Sequence, residues 1–324
     1  MIITVTLNPA VDKIYWVDRL KMGQVAQEEF LTRALESSTS AGGKGVNTSI
    51  FLARLGVENV AMGFVGGHMG HVVVRDLHDE GVTTNFVWVN RETRINVTVL
   101  EQGHEHVPIL IDEPGGAVSP EEIDRFLRRY KRMLSRATWV VLAGSLPAGV
   151  DPDFYCRLTD MATKAGAKVA LSARGDALTC ALRSSPYLVK PDTRERLTME
   201  GSALTTNDEI IAAGKKLIET GVGVFIVSHD VTGDIAIAKD AVWEISTSVQ
   251  ATQFKNLVGA DDALLGGIIY MLDKGEPLDK ALRFGMAAGI LSAESKEKVC
   301  RNYDNITTEM KTISIERLDE GDQT

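Results

Sequence analysis

A chain of 324 residues, 44% hydrophobic and 24% charged, is long for one minimal domain, short for two large ones, and ordinary for a globular fold. Its 35 basic against 44 acidic residues leave a formal charge of −9, which excludes the global basic field that nucleic-acid binding draws on. Any anionic ligand must therefore be held by a local cluster of donors. Cys156, Cys180 and Cys300 are widely spaced, offer no disulfide framework or metal-knuckle spacing, and suit a reducing compartment.

The start, Met1-Ile2-Ile3-Thr4-Val5-Thr6-Leu7, reads as a strand rather than a basic-then-apolar leader. No apolar run reaches the roughly 20 residues of a membrane span, so the expected location is the cytoplasm, with no membrane partner. Runs rich in branched residues predict strands at 2–7, 60–65, 139–143, 168–171, 187–189, 224–228 and 235–238. Apolar residues at helical spacing predict helices at 46–55, 71–80, 119–135, 153–165, 207–220, 263–274 and 278–294. Ser119-Pro120-Glu121-Glu122 combines an N-cap, a first-turn proline and a capping-box glutamate. This alternation implies one α/β domain over 1–324, a doubly wound, mostly parallel sheet with helices on both faces. Segments near 13–38 and 85–111 break it, reading as strands without helices between them, and could form a small accessory sheet across the mouth of the domain. The acidic tail from Glu316 is expected to fray.

Motifs fall at successive strand ends, where ligands of open α/β sheets bind. Asn8-Pro9-Ala10-Val11-Asp12 follows the first strand, and Asp12 is either a ligand for polar substrate groups or a turn cap. Ala41-Gly42-Gly43-Lys44-Gly45-Val46-Asn47 is a glycine-rich loop entering a helix, with Lys44 and Asn47 as donors; it is not a Walker A loop. Thr93-Arg94-Ile95-Asn96 sets an arginine and an asparagine on one strand face, and Arg94 is a candidate phosphate fork or a solvated surface group. Gly144-Ser145-Leu146-Pro147 and Lys190-Pro191-Asp192-Thr193-Arg194-Glu195 each follow a buried strand. Finally, Asn256-Leu257-Val258-Gly259-Ala260-Asp261-Asp262 brings a small-residue turn and two carboxylates to the start of an apolar helix. Such a turn seats an anion on backbone N–H groups, and a carboxylate at its rim can take a proton from an attacking hydroxyl. The close histidine pairs His68/His71 and His104/His106 lack further ligands at matching spacing and read as surface or loop residues.

From Thr6 to about Ala293 the order of these motifs resembles the phosphofructokinase B group of the ribokinase-like carbohydrate kinases, most of all its 1-phosphofructokinase and tagatose-6-phosphate kinase branches. The resemblance implies a ribokinase-like α/β domain with a small β-sheet lid that joins two subunits as a homodimer. It implies ATP and Mg²⁺, with fructose 1-phosphate or tagatose 6-phosphate phosphorylated at a primary hydroxyl. By position, Asp12, Gly42, Gly43, Lys44 and Asn47 would bind sugar hydroxyls, and Arg94 and Ser145 the phosphate already on the sugar. Asp262 would be the base, and Gly259, Ala260 and Asp261 would present N–H groups to the transferring phosphoryl. Lys190 and Asp192 would lie near the nucleotide phosphates, Glu195 near Mg²⁺, and Ser228 and Gly233 in the nucleotide loop.

Departures from the family pattern concentrate on the nucleotide side, at Ser172-Ala173-Arg174-Gly175, Asp192, Ser228-His229-Asp230 and Asp261. Two further readings follow from them. One is a catalytically weakened or inactive homologue that binds a sugar phosphate as sensor or partner. The other is a working kinase with a different donor or metal arrangement.

Overall fold

The computed structural model describes residues 1–21, 31–191, 198–199, 202–228 and 232–318. In its main sheet the strands lie in the spatial order Thr83–Thr84, Asn59–Val65, Ile2–Thr6, Trp139–Ala143, Lys168–Ser172, Leu188–Val189, Val224–Ser228, Gly233–Ala238, Ala241–Thr247 and Ile313–Leu318. Pairing is parallel as far as Val224–Ser228 and antiparallel beyond it. The expected α/β class, with a mostly parallel sheet between helices, is what forms.

Ile2–Thr6 and Trp139–Ala143 are buried at every position, as central parallel strands covered on both faces must be. Successive residues point to opposite cores. Ile2 and Val141 join Phe51, Leu77 and Ile268 on one side, while Ile3, Val5 and Val140 join Phe126, Tyr155 and Leu158 on the other. The capping box at 119–122 is present: Glu122 N donates to Ser119 Oγ at 3.3 Å, and Ser119 N donates to Glu122 Oε2 at 2.9 Å.

Two helix starts move toward the ligand end. The helix expected at 46–55 is Lys44–Arg54, and that expected at 263–274 is Ala260–Asp273. Lys44, Asp261 and Asp262 therefore stand in first helical turns rather than in the preceding loops. The helices Gly175–Leu182 and Tyr303–Glu309 and the strands Ala241–Thr247 and Ile313–Leu318 were not anticipated. The reading of Glu316 onward as a frayed tail is corrected as far as Leu318. Glu316, Arg317 and Leu318 pair opposite Glu244, Trp243 and Val242. An edge strand whose outer face meets water carries polar residues that look like a tail in sequence.

The small sheet has the order Ala34–Gly42, Ala10–Val17, Arg94–Glu101, Ile109–Asp112, with the central pair parallel and the outer pairs antiparallel. Val87–Trp88, inside the segment 85–111, pairs instead with Asn59–Val65 of the main sheet. The register places Asp12 beside Asn96 and Asn96 beside Asp112, so one row of polar side chains crosses the strands on a single face.

Candidate active site

After Ile2–Thr6 the chain fills one flank of the main sheet, then returns at Trp139–Ala143 to fill the other, so the strand order reverses between these two neighbours. The crevice at such a switch point is the natural ligand seat of a doubly wound sheet. A cleft of about 780 Å³ opens there, lined by Thr6 and Asn8 from one strand end and Gly144 and Ser145 from the other. The small sheet supplies Asp12, Arg94, Asn96 and Asp112, and the two helix starts supply Gly43, Lys44, Asn47 and Gly259 through Asp262.

At the centre is Asp262, only 4% exposed. Asn47 Nδ2 donates to its Oδ2 at 2.8 Å, Lys44 Nζ lies 3.6 Å from its Oδ1, and Thr48 Oγ1 donates to its backbone oxygen at 3.3 Å. The Lys44–Arg54 helix thus orients the carboxylate that begins the Ala260–Asp273 helix. Gly259 precedes that helix with φ 87°, in the left-handed region. A Cβ there would lie 2.4 Å from the Lys298 carbonyl oxygen, so both backbone and packing demand glycine. Asp261 needs no such conformation, because the left-handed residue is Gly259 and Asp261 is helical. The first-turn N–H groups and the helix dipole make this end a seat for an anion.

On the lid-side wall, Asp12 is 5% exposed and both its oxygens are held: Asn96 Nδ2 donates to Oδ1 at 3.2 Å and Lys298 Nζ to Oδ2 at 3.0 Å. Arg94 Nε donates to the Asn8 carbonyl at 3.1 Å and Nη1 to the Glu113 carbonyl at 2.8 Å. Asn8 Nδ2 donates to Ser145 Oγ at 3.3 Å and to the Pro114 carbonyl at 3.0 Å. Behind this end, burial lowers the Arg91 guanidinium, Glu122 opposes the shift, and Arg94 adds to it. Asn8, Asn47 and Asn96 line the cleft, and the Oδ1 atom of each is buried with no hydrogen-bond partner among the described residues. Buried acceptors are ordinarily satisfied, so three together at one cleft are unusual.

The opposite wall carries a second buried lysine. Lys190, 2% exposed, donates to Asp261 Oδ1 at 2.9 Å and to Ser228 Oγ at 3.0 Å, and Ser228 Oγ donates to Asp234 Oδ1 at 2.5 Å. Asp261 keeps 37% of its side chain exposed. Gly233 and Arg174 line the same side, and Phe254, Leu257, Met286 and Ile290 add an apolar surface next to them. The set fits a polyphosphate attached to a flat apolar group. Among the described residues no three potential metal ligands converge, and Asp192 and Glu195, together with Asp230, lie outside those residues.

Most of the sequence-selected residues therefore meet at one cleft: Asp12, Gly43, Lys44, Asn47, Arg94, Ser145, Ser228, Gly233, Gly259, Ala260, Asp261 and Asp262. Gly42 and Lys190 stand behind its surface. A Cβ on Gly42 would lie 2.3 Å from Asp12 Cγ, so Gly42 makes room for a ligand-facing carboxylate rather than facing ligand itself. Lys190 reaches the cleft through Asp261. Sequence reasoning missed Asn8, Arg174 and Asp234 as lining residues, and Lys298 altogether. Lys296-Glu297-Lys298 reads as a solvated charge cluster, and nothing local marks Lys298 as buried.

The cleft thus lies at the switch point, walled on one side by the small sheet, with a buried carboxylate in the first turn of a helix. The chain belongs to the pfkB family of carbohydrate kinases, whose family model matches residues 6–299. It is 35% identical over 297 residues to the 1-phosphofructokinase of Bacillus subtilis, covering 92% of this chain and 94% of that protein. The 1-phosphofructokinase of Borreliella burgdorferi is 31% identical over 304 residues, covering 94% and 95%. A crystal structure of a possible 1-phosphofructokinase from Thermotoga maritima is 33% identical, with a TM-score of 0.89, covering 98% of this chain and all of that one. Phosphofructokinase-2 of Escherichia coli, in complex with substrates and products, is 25% identical, with a TM-score of 0.85 over 96% of this chain and 98% of that chain.

Proposed function

We propose that this sugar-phosphate kinase transfers the γ-phosphoryl group of ATP to a primary hydroxyl of fructose 1-phosphate. The observation that carries the chemistry is Asp262, buried, oriented by Asn47 and set in the first turn of an anion-seating helix. Its carboxylate takes the hydroxyl proton as the sugar oxygen bonds to the γ-phosphorus. The bond from that phosphorus to the bridging oxygen breaks, and ADP leaves with the electron pair. The N–H groups of Gly259, Asp261 and Asp262 meet the charge that develops on the phosphoryl oxygens, while that of Ala260 is donated to the Leu257 carbonyl at 3.3 Å. The names of two relatives favour fructose 1-phosphate over tagatose 6-phosphate.

On the lid side, Asp12, Asn47 and Asn96 accept sugar hydroxyls, with Gly42 and Gly43 giving them room and Lys44 donating beside Asp262. Arg94 and Ser145 hold the phosphate already present. On the other side, Lys190, Ser228 and Gly233 form the nucleotide side, and the apolar surface at Phe254, Leu257, Met286 and Ile290 takes the base. Mg²⁺ would neutralise polyphosphate charge when bound, with Asp192 and Glu195 as the candidates for its shell. Asp261 does not stand as an uncompensated charge at the phosphoryl seat, because Lys190 contacts it directly. Exposed apolar side chains on the small sheet, Leu35 at 63% and Ile111 at 58%, favour a homodimer joined through that sheet. No described helix is long and apolar enough to cross a membrane, and the chain's acidity gives no support for nucleic-acid binding. A cytoplasmic place of action suits its three free cysteines.

The test is a coupled ADP-release assay with ATP·Mg²⁺ and each sugar phosphate in turn. Sugar-dependent ADP release is expected, fastest at low concentrations of fructose 1-phosphate. Binding of sugar phosphate with no ADP release from ATP·Mg²⁺ would sink the reading.

A further inference from the structure

Beyond the Leu278–Ala293 helix, the segment 295–300 reaches back to the small sheet with two lysines. Lys296 Nζ donates to Glu36 Oε2 at 2.5 Å and lies 5.6 Å from the centre of the Trp16 ring. Lys298 goes deeper: it is 9% exposed and donates to Asp12 Oδ2 at 3.0 Å and to the Ala41 carbonyl oxygen. Its own carbonyl oxygen closes over Gly259, the residue before the catalytic helix. Asn256 Nδ2 pins the segment by donating to the Lys296 carbonyl at 3.1 Å, and Arg54 does so by donating to the Val299 carbonyl. One residue thus touches the lid-side carboxylate with its ammonium and the phosphoryl-side turn with its backbone.

We propose that Lys298 is a positioning residue for sugar recognition, fixing Asp12 as an oriented, charge-compensated acceptor; this rests on the reading of the cleft as a sugar-phosphate site. The electrostatic need is plain. Asp12, Asp112, Glu113 and Asp262 all line a cleft whose substrate arrives as an anion. Lys298 offsets Asp12 from behind, without taking up lining surface. Buried lysines are rare unless paired, and a buried ion pair adds little stability over an apolar packing, so its value lies in fixing geometry. Asn96 holds the other oxygen, so both oxygens of Asp12 are anchored before the sugar binds, each with a lone pair left to accept from it.

The test compares wild type, Lys298→Met and Lys298→Gln on whichever of fructose 1-phosphate and tagatose 6-phosphate wild type prefers. Preference for tagatose 6-phosphate would overturn the substrate assignment alone, since the Lys298 comparison is made on the preferred sugar. Lys298→Met is expected to raise KM for the sugar phosphate about tenfold or more. KM for ATP should stay within about twofold. Lys298→Gln, which still donates one hydrogen bond to Asp12, should fall between wild type and Met. Calorimetric titration with sugar phosphate in the absence of nucleotide should give the same order in Kd. Should Lys298→Met fail to fold, Lys298→Gln carries the test with a selective rise of about threefold. Unchanged sugar KM in the folded variants, or equal rises for both substrates, overturns the proposal.

Discussion

Each wall of the cleft is built on one buried lysine that holds an aspartate, and the two pairs differ in how far water reaches them. Lys298 and Asp12 are both nearly sealed, and Asn96 holds the second oxygen of that carboxylate. Lys190 is equally sealed, but its partner Asp261 is more than one-third exposed and stands at the mouth of a helix N-terminus. A closed pair fixes geometry, because breaking it strands a charge in a medium that solvates it poorly. A half-open pair is easier to exchange, and on the proposed reading an incoming polyphosphate would take the lysine while Asp261 turned toward solvent. On the proposed reading, the lid-side wall is set before its ligand arrives, and the opposite wall carries an internal anion where the nucleotide's charge would come.

The comparison can be broken in several ways. The largest effect belongs to the residue both walls share. Asp262→Asn should lower kcat about 10³-fold, with calorimetric sugar binding retained. Substantial turnover in that variant would remove the base from the centre of the scheme. Lys190→Met should come next, raising KM for ATP about 30-fold while leaving KM for the sugar phosphate unchanged. An equal effect on both substrates would mean that the walls do not act separately.

Asp261→Asn sharpens the contrast in the opposite direction. At about 4 Å and an effective dielectric near 20, a carboxylate costs an approaching unit negative charge roughly 4 kcal/mol. Lys190 at 2.9 Å and the exposure of Asp261 cancel most of that. The variant should thus tighten KM for ATP by only about fivefold, read from initial rates at saturating sugar. A weaker affinity for ATP would show that Asp261 helps the donor bind. The smallest effect lies away from both walls: Ser119→Ala breaks the capping box and should cost about 1 kcal/mol in denaturant unfolding, with neither KM moved.

Much of this site was legible in the sequence because its motifs obey local rules. The buried strands 139–143 and 224–228 and the 119–122 cap follow from side-chain type and spacing alone, and they form where expected. The glycine-rich turns marked the two helix N-termini, although both helices start two or three residues earlier than periodicity gave. The reason is that Lys44, Asp261 and Asp262 face the cleft rather than an apolar core, so they do not join the hydrophobic pattern that reveals a helix.

What stayed hidden depends on distance along the chain. Lys298 looks like one of several charges in a surface run until folding carries it 286 positions back to Asp12. Asp261 looks like a damaging substitution until Lys190, 71 positions earlier, is found against it. By itself, the sequence determined the α/β alternation, the strand ends that carry chemistry and the family resemblance, because these rest on near-neighbour periodicity and ordered motifs. Tertiary structure alone decided which charges are paired, which are sealed and which remain open to a ligand. Burial and countercharge are set by residues that meet only once the chain has folded.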